Sequence, residues 1–311
     1  MNPQLDDAGR LRHLLSLDGI PRAVLEALLE RAQHWARQPD AGSQALRGTC
    51  VATLFFEPST RTRLSFQRAA QRLGADLLSF EAASSSVTKG ETDADTLRNI
   101  EAMGVRGFVL RHREDGAAAR LAQVARPGTV VVNGGDGRSN HPTQALLDML
   151  TLRQAKGDDF GRLKVAIVGD VLHSRVARSG LHALRALGAG QVRVCGPANL
   201  LPDAGTLQGC LVTSDLDAAL DGVDVVMALR LQRERMVDGL VASLEDYHRD
   251  YGITGARLAR AAADAVVLHP GPMNRGVEIS DAVADGPQSL VLRQVANGVA
   301  VRMAVLETLL A

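Results

Sequence analysis

Between positions 55 and 63 the chain reads Phe-Phe-Glu-Pro-Ser-Thr-Arg-Thr-Arg, with hydroxyls and guanidiniums crowded where a helix should begin. The residues before it, from Cys50 to Phe56, are apolar, β-branched and aromatic, as in a buried strand. After it, Leu64, Phe66, Ala69, Ala70 and Leu73 fall at helical spacing, which makes Ser59 or Thr60 the N-cap. Free backbone N–H groups, the positive end of the helix dipole, the hydroxyls of Ser59, Thr60 and Thr62, and the forks of Arg61 and Arg63 then converge. That combination binds phosphate. An ordinary capped helix with a solvated basic first turn fits less well, because cations there oppose the dipole unless an anion arrives.

Five further stretches carry polar groups at strand ends. Arg111 closes an apolar run at Gly107-Phe-Val-Leu-Arg; alone, it reads as a surface cation. Val130-Val-Val-Asn-Gly-Gly-Asp is followed by Gly-Arg-Ser-Asn-His141-Pro-Thr-Gln144, a strand, a glycine-rich turn and a helix start. His141 and Gln144, three apart, share one side of the first turn. Val165-Ala-Ile-Val-Gly-Asp precedes Arg175. It invites a dinucleotide reading, but G-x-G-x-x-G is absent and a dehydrogenase-like domain is the weaker choice. Arg230, Gln232, Arg233 and Arg235 follow another strand, and a solvated charge run is the alternative there. Leu268-His-Pro-Gly-Pro ends the last strand in a proline-stiffened turn, whose two close prolines fix backbone carbonyls in place. Ser84-Ser-Ser-Val-Thr-Lys89-Gly-Glu-Thr has no packed pattern and reads as a loop.

The elements that position these groups alternate. Strands are expected over 51–56, 76–80, 107–111, 129–133, 164–168, 192–195, 223–229 and 265–268. Helices between them include 91–103, 143–153, 174–187 and 216–221. Such alternation implies parallel sheets covered on both faces, beyond whose carboxyl ends ligands sit. At 311 residues there is room for two domains. The polar break at 154–161 separates them: 1–142, completed by a final helix over 290–311, and 143–289. Lys plus Arg equals Asp plus Glu at 35 each, which argues against nucleic-acid or membrane partners. Cys50, Cys195 and Cys210 are far apart with no CxxC pair, so neither a metal site nor a disulfide framework is expected. No signal-like or membrane-spanning run is present, and a cytoplasmic location is the default.

The Ser-Thr-Arg-Thr-Arg loop after Phe-Phe-Glu-Pro resembles the carbamoyl phosphate loop of the aspartate/ornithine carbamoyltransferase superfamily. The rest of the chain, from about Leu11 to the C-terminus, resembles the catalytic chains of its aspartate branch. The resemblance implies two doubly wound α/β domains, with an active site in the cleft between them and at a subunit interface. It implies that Ser59, Thr60, Arg61, Thr62, Arg111, His141, Gln144, Gly271 and Pro272 bind carbamoyl phosphate, while Arg175, Arg230 and Gln232 bind L-aspartate. Lys89 would enter the site of a neighbouring subunit, with Ser86, or alternatively Ser85, beside it. Glu57, Arg175 and Arg235 would hold the domains closed. Arg61, His141 and Lys89 are the catalytic residues so implied. The expected partners are the two substrates and a homotrimer of catalytic chains, open to regulatory or dihydroorotase-type chains. No cofactor is expected. Ornithine enzymes resemble one another in a cysteine where Pro270 stands here, and they lack Lys-Gly-Glu-Thr. A carbamoyltransferase for another amino acid and a non-catalytic relative are the rival readings; the latter should lack Arg61, Arg111, His141 or Lys89, and all four are present.

Overall fold

A strand buried on both faces must be apolar nearly throughout, and β1 (Cys50–Phe55), with every residue after Cys50 buried, shows why the first sheet is parallel. The structure, a computed structural model of the chain, describes residues 2–81, 90–232 and 243–311. In chain order the first part comprises α1 (Arg22–Ala36), β1, α2 (Thr60–Arg72), β2 (Asp76–Glu81), α3 (Asp93–Ala102), β3 (Val105–His112), α4 (Ala117–Val124), β4 (Val130–Asp136) and α5 (Pro142–Lys156). The four strands lie in the order β2-β1-β3-β4, all parallel. Ala52, Leu54, Phe108, Leu110 and Val131 pack with Leu97 of α3 and Leu121 of α4. On α1, Leu25, Leu28, Leu29, Ala32 and Trp35 form one buried stripe.

The second sheet is parallel as well. Its elements are β5 (Lys164–Val168), α6 (Arg175–Leu187), β6 (Gln191–Cys195), β7 (Leu211–Thr213), α7 (Leu216–Leu220), β8 (Val225–Ala228), α8 (Leu244–Tyr251), α9 (Gly255–Leu258), β9 (Val266–Leu268) and α10 (Asp281–Ala284). The strand order is β7-β6-β5-β8-β9. Val168, Val226, Ala228, Val267 and Ile279 share one core with Leu216, Leu220 and Leu258. β7 has no counterpart among the expected strands, because Leu211 and Val212 are exposed on a three-residue edge strand and show no burial pattern.

The last helix, α11 (Val291–Leu310), returns to the first sheet's unit, where Trp35 Nε1 donates to Glu307 Oε2 at 3.1 Å. The chain divides into two compact units, Met1–Leu150 with Val295–Ala311, and Thr151–Gln294. The divisions fall inside α5 and α11. No described helix is long and apolar enough to cross a membrane.

Candidate active site

In a parallel sheet, ligands gather where the chain, having wound to one side, turns back to the other. In the first unit that point lies between β1 and β3, and the Ser59–Arg63 sequence follows β1. Phe55 stands opposite Arg111 in the register, and Phe56 N–H donates to the Arg111 carbonyl at 2.8 Å. α2 opens at Thr60 with Ser59 as an extended N-cap; the Ser59 hydroxyl makes no capping hydrogen bond, and no acidic residue sits in the first turn. Thr60 and Arg61 are exposed and Thr62 is buried. The basic first turn and its N–H groups therefore offer an anion both charge and donors.

Arg111 is buried and aimed at the same place. Its Nη1 donates to the Gly134 carbonyl at 3.0 Å, and its Nη2 lies 3.4 Å from Glu57 Oε1. Gly134 is needed for this closeness: a Cβ there would meet the Leu110 carbonyl at 3.1 Å and the Thr62 methyl at 3.6 Å. β4 runs on through the glycines to Asp136, further than the sequence suggested. Asn133 locks that end, donating to Asp136 Oδ1 at 2.9 Å and accepting from Gly135 N–H at 2.7 Å.

His141 immediately precedes α5, and its carbonyl accepts from Gln144 N–H at 3.0 Å. Gln144 Nε2 donates to Asp148 Oδ1 at 3.0 Å. With its amide nitrogen turned to a carboxylate, Gln144 presents its Oε1, an acceptor. Behind this pair lies Arg302 of α11, buried over the Phe66 ring at 4.9 Å and donating to the Gly298 carbonyl at 2.9 Å. Desolvation lowers its pKa to about 9 against the opposing pull of Asp148.

The second unit repeats the logic at its own switch point, between β5 and β8. Gly169 has φ 124°, and a Cβ there would meet the Leu229 carbonyl at 3.1 Å and the Tyr247 hydroxyl at 3.0 Å. Packing between strand ends thus explains this glycine, with no need for a dinucleotide. Ser174 caps α6 by accepting from Ala177 N–H at 3.1 Å, and buried Arg175 is the first helical residue. Asp170, fully buried, accepts from His173 N–H at 3.2 Å, from the His173 ring Nδ1 at 2.9 Å and from Gln232 N–H. Desolvation raises its carboxyl pKa, and His173 opposes the rise. Half-buried Gln232 is thereby tied to the segment that follows β5 and leads to Arg175, and half-buried Arg230 stands two residues before it. Past β9, Gly271 N–H donates to His269 Nδ1 at 2.9 Å, and Gly271 adopts φ 62°, a conformation that favours glycine.

Ser85, Ser86, Lys89, Arg233 and Arg235 lie outside the described residues. Several supporting residues were not anticipated: Asp136, Asp148, Asp170, His173 and Arg302. Asp148 was within reach, since Gln144 and Asp148 are four apart on a helix and must be neighbours.

Two family models cover most of the chain. The carbamoyl-P binding domain of aspartate/ornithine carbamoyltransferase matches residues 12–154, and the Asp/Orn binding domain matches residues 162–309. The chain belongs to the aspartate/ornithine carbamoyltransferase family. It is 70% identical over 311 residues to the aspartate carbamoyltransferase catalytic subunit of Xanthomonas campestris pv. campestris (strain B100), with 99% of this chain and 98% of that one covered. The corresponding subunit of Stenotrophomonas maltophilia (strain K279a) is 68% identical, with the same shares covered. Among solved structures, aspartate transcarbamoylase from Trypanosoma cruzi in complex with carbamoyl aspartate and phosphate matches with TM-score 0.86 at 31% identity, covering 99% of this chain and 98% of that one. Ornithine carbamoyltransferase from Thermus thermophilus reaches the same TM-score at 30% identity, covering 96% and 99%. Backbone likeness therefore does not separate the two branches of the family. Sequence identity does, because the chains at 70% and 68% are aspartate enzymes.

Proposed function

We propose that the chain transfers the carbamoyl group of carbamoyl phosphate to the amine of L-aspartate, giving N-carbamoyl-L-aspartate and phosphate, an early step of pyrimidine biosynthesis. The observation that carries this reading is the switch point of the first sheet, where the α2 N-terminus, Arg111 and the turn leading to His141 follow adjacent strands. Ser59, Thr60, Arg61 and Thr62 hold the phosphoryl oxygens with Arg111. His141 donates to the carbamoyl oxygen, and Gln144 Oε1, with the carbonyls of Gly271 and Pro272, accepts from the carbamoyl NH2 group. Arg175 and Arg230 grip the aspartate carboxylates, assisted by Gln232; planar forks suit a dicarboxylate better than point charges do.

In the chemical step the aspartate nitrogen attacks the carbamoyl carbon and a C–N bond forms. The carbonyl oxygen becomes an oxyanion that the His141 hydrogen bond stabilises. Collapse breaks the bond to the bridging oxygen and releases phosphate, which takes the proton lost by the amine. No covalent enzyme intermediate and no cofactor are required; positioning and charge supply the acceleration. Purified chain given carbamoyl phosphate should consume L-aspartate and not L-ornithine. Carbamoylation of ornithine at a comparable rate would favour the other branch of the family.

The active unit in this reading is a cytoplasmic homotrimer in which Lys89, beside Ser86, serves a neighbouring chain's Arg61 pocket. The support is the family resemblance of the Lys-Gly-Glu-Thr segment. Mixing Lys89→Ala chains with Arg61→Ala chains should restore activity that neither homo-oligomer has. No recovery despite subunit exchange, followed by native mass spectrometry, would mean that each chain builds its own site.

A further inference from the structure

β8 and β9 pair as far as Met227 and Leu268, and beyond their ends come Arg230-Leu231-Gln232 and His269-Pro270-Gly271-Pro272. A single buried carboxylate joins them. Glu278, 2% exposed, accepts from Asn274 N–H at 2.6 Å and from His269 Nε2 at 3.2 Å on Oε1, and from Asn274 Nδ2 at 3.1 Å on Oε2. The same Asn274 amide also donates to the Leu231 carbonyl at 3.2 Å, between Arg230 and Gln232. His269 has its tautomer fixed by the other side of the ring. Its Nδ1 accepts Gly271 N–H at 2.9 Å, so the proton is on Nε2 and points at Glu278. The His269 N–H is spent on Gln294 Oε1 at 3.0 Å, which anchors the start of the turn.

Each described hydrogen-bond partner of the Glu278 carboxylate is a donor. A buried carboxylate is costly, and here three N–H donors compensate it. A glutamine in its place would turn an amide NH2 against at least one of those donors. The charge is thus matched to the network, while apolar packing alone would not need it.

We propose that Glu278 is a positioning residue: through Asn274 and His269 it fixes the Leu231 carbonyl and the Gly271-Pro272 turn at one separation, and so sets where Arg230 and Gln232 stand relative to the carbonyls of the turn. The network spaces the amino-acid ligands from the carbamoyl ligands, and with them the attacking amine from the carbon it attacks. This rests on the roles given to those residues under Proposed function.

The test compares Glu278→Gln and Asn274→Ala with the unaltered chain. Glu278→Gln should raise the KM for L-aspartate and lower kcat, each by about tenfold, the scale of one misdirected buried hydrogen bond. The affinity for carbamoyl phosphate alone should change less than twofold, and the preference for L-aspartate over L-glutamate should narrow, because a loosened spacing discriminates length less sharply. Asn274→Ala cuts the link to Leu231 while leaving the His269–Glu278 contact. It should reproduce the aspartate effect at smaller size, and it decides the matter if Glu278→Gln does not fold. Wild-type KM, kcat and selectivity in a folded variant would overturn the proposal. Equal weakening of carbamoyl phosphate and aspartate would also overturn it, since that marks general loosening. Absence of aspartate carbamoylation by the unaltered chain would instead sink the functional reading on which the proposal stands.

Discussion

The two units place their candidate residues by different means. In the first, most ties are to backbone or to near neighbours in sequence: Arg111 on the Gly134 carbonyl, Asn133 on Asp136, Gln144 on Asp148, with Arg111 to Glu57, 54 positions away, the exception. In the second, local ties such as Asp170 to His173 are joined by ones that reach across the chain: Asn274 to Leu231 is 43 positions, and Gln232, beyond β8, meets Asp170 beyond β5. The difference follows from the ligands proposed for each. A phosphate is held largely by main-chain N–H groups at a helix N-terminus, which folding of one strand–helix unit creates. A dicarboxylate amine needs several side chains from separate strand ends, and only long-range contacts fix their spacing.

Changes at the first switch point should therefore strike the transferred group and the reaction, and changes at the second the amino acid. Arg61→Ala is the harshest test. We expect a loss of about a thousandfold or more in kcat/KM, since a charged donor to the phosphoryl group disappears. Arg61 is exposed, and its removal also relieves a cation opposing the α2 dipole, so Tm should move by no more than about 2 °C. Near-normal turnover at saturating substrate would remove the phosphate assignment and, with it, the contrast between the units.

His141→Ala should come next. A donor that strengthens as the oxyanion forms is worth about a hundredfold in kcat, with a much smaller change in carbamoyl phosphate affinity. A rise in KM alone would make His141 a ground-state ligand. On the other side, Arg230→Ala should raise the KM for L-aspartate by about ten- to thirtyfold, the cost of one lost charge-assisted hydrogen bond, and leave carbamoyl phosphate binding unchanged. If carbamoyl phosphate affinity fell as much, the division of labour between the two switch points would be wrong.

The same contrast governs what was legible in the sequence. Alternating apolar strands and amphipathic helices gave both parallel sheets, because burial on two faces leaves a compositional mark. The Ser59–Arg63 motif could be read on physical grounds, since a basic first turn contradicts its helix dipole. Arg175, Arg230 and Gln232 carried no such signature, and only the family resemblance singled them out. Glu278 and Asp170 escaped altogether: a buried carboxylate looks like a surface one until its donors, dozens of residues away, are in place. Edge strand β7 escaped for the opposite reason, since exposed Leu211 and Val212 leave no pattern to find.

Acid should separate the units with the smallest effect. In the first, the segment before α1 runs beside β4: Leu14 N–H donates to the Val131 carbonyl at 3.0 Å, and His13 Nδ1 accepts Val131 N–H at 3.1 Å. An imidazolium carries a proton on Nδ1 and cannot accept. Burial first, and the Arg12 charge second, lower the His13 pKa to about 4 from 6.5. Between those values the unfolded state binds more protons than the folded state, so stability is intact above pH 6.5 and is lost as pH falls toward 4. The loss at pH 5 should be about 1 kcal/mol once solvent screening is allowed for. Asp170 in the second unit works in the opposite sense. Its pKa is raised from 3.8 by desolvation, so the folded state binds the proton more readily and acid relieves part of its cost. Hydrogen exchange followed from pH 7 to 4.5 should therefore show protection falling at the Val131 amide before it falls at Gln232. His13→Asn, whose Oδ1 can accept without titrating, should flatten the first response and leave the second alone. Equal responses in the unaltered protein, or an unchanged slope at Val131 in the variant, would show that the acid sensitivity of the first unit has another source.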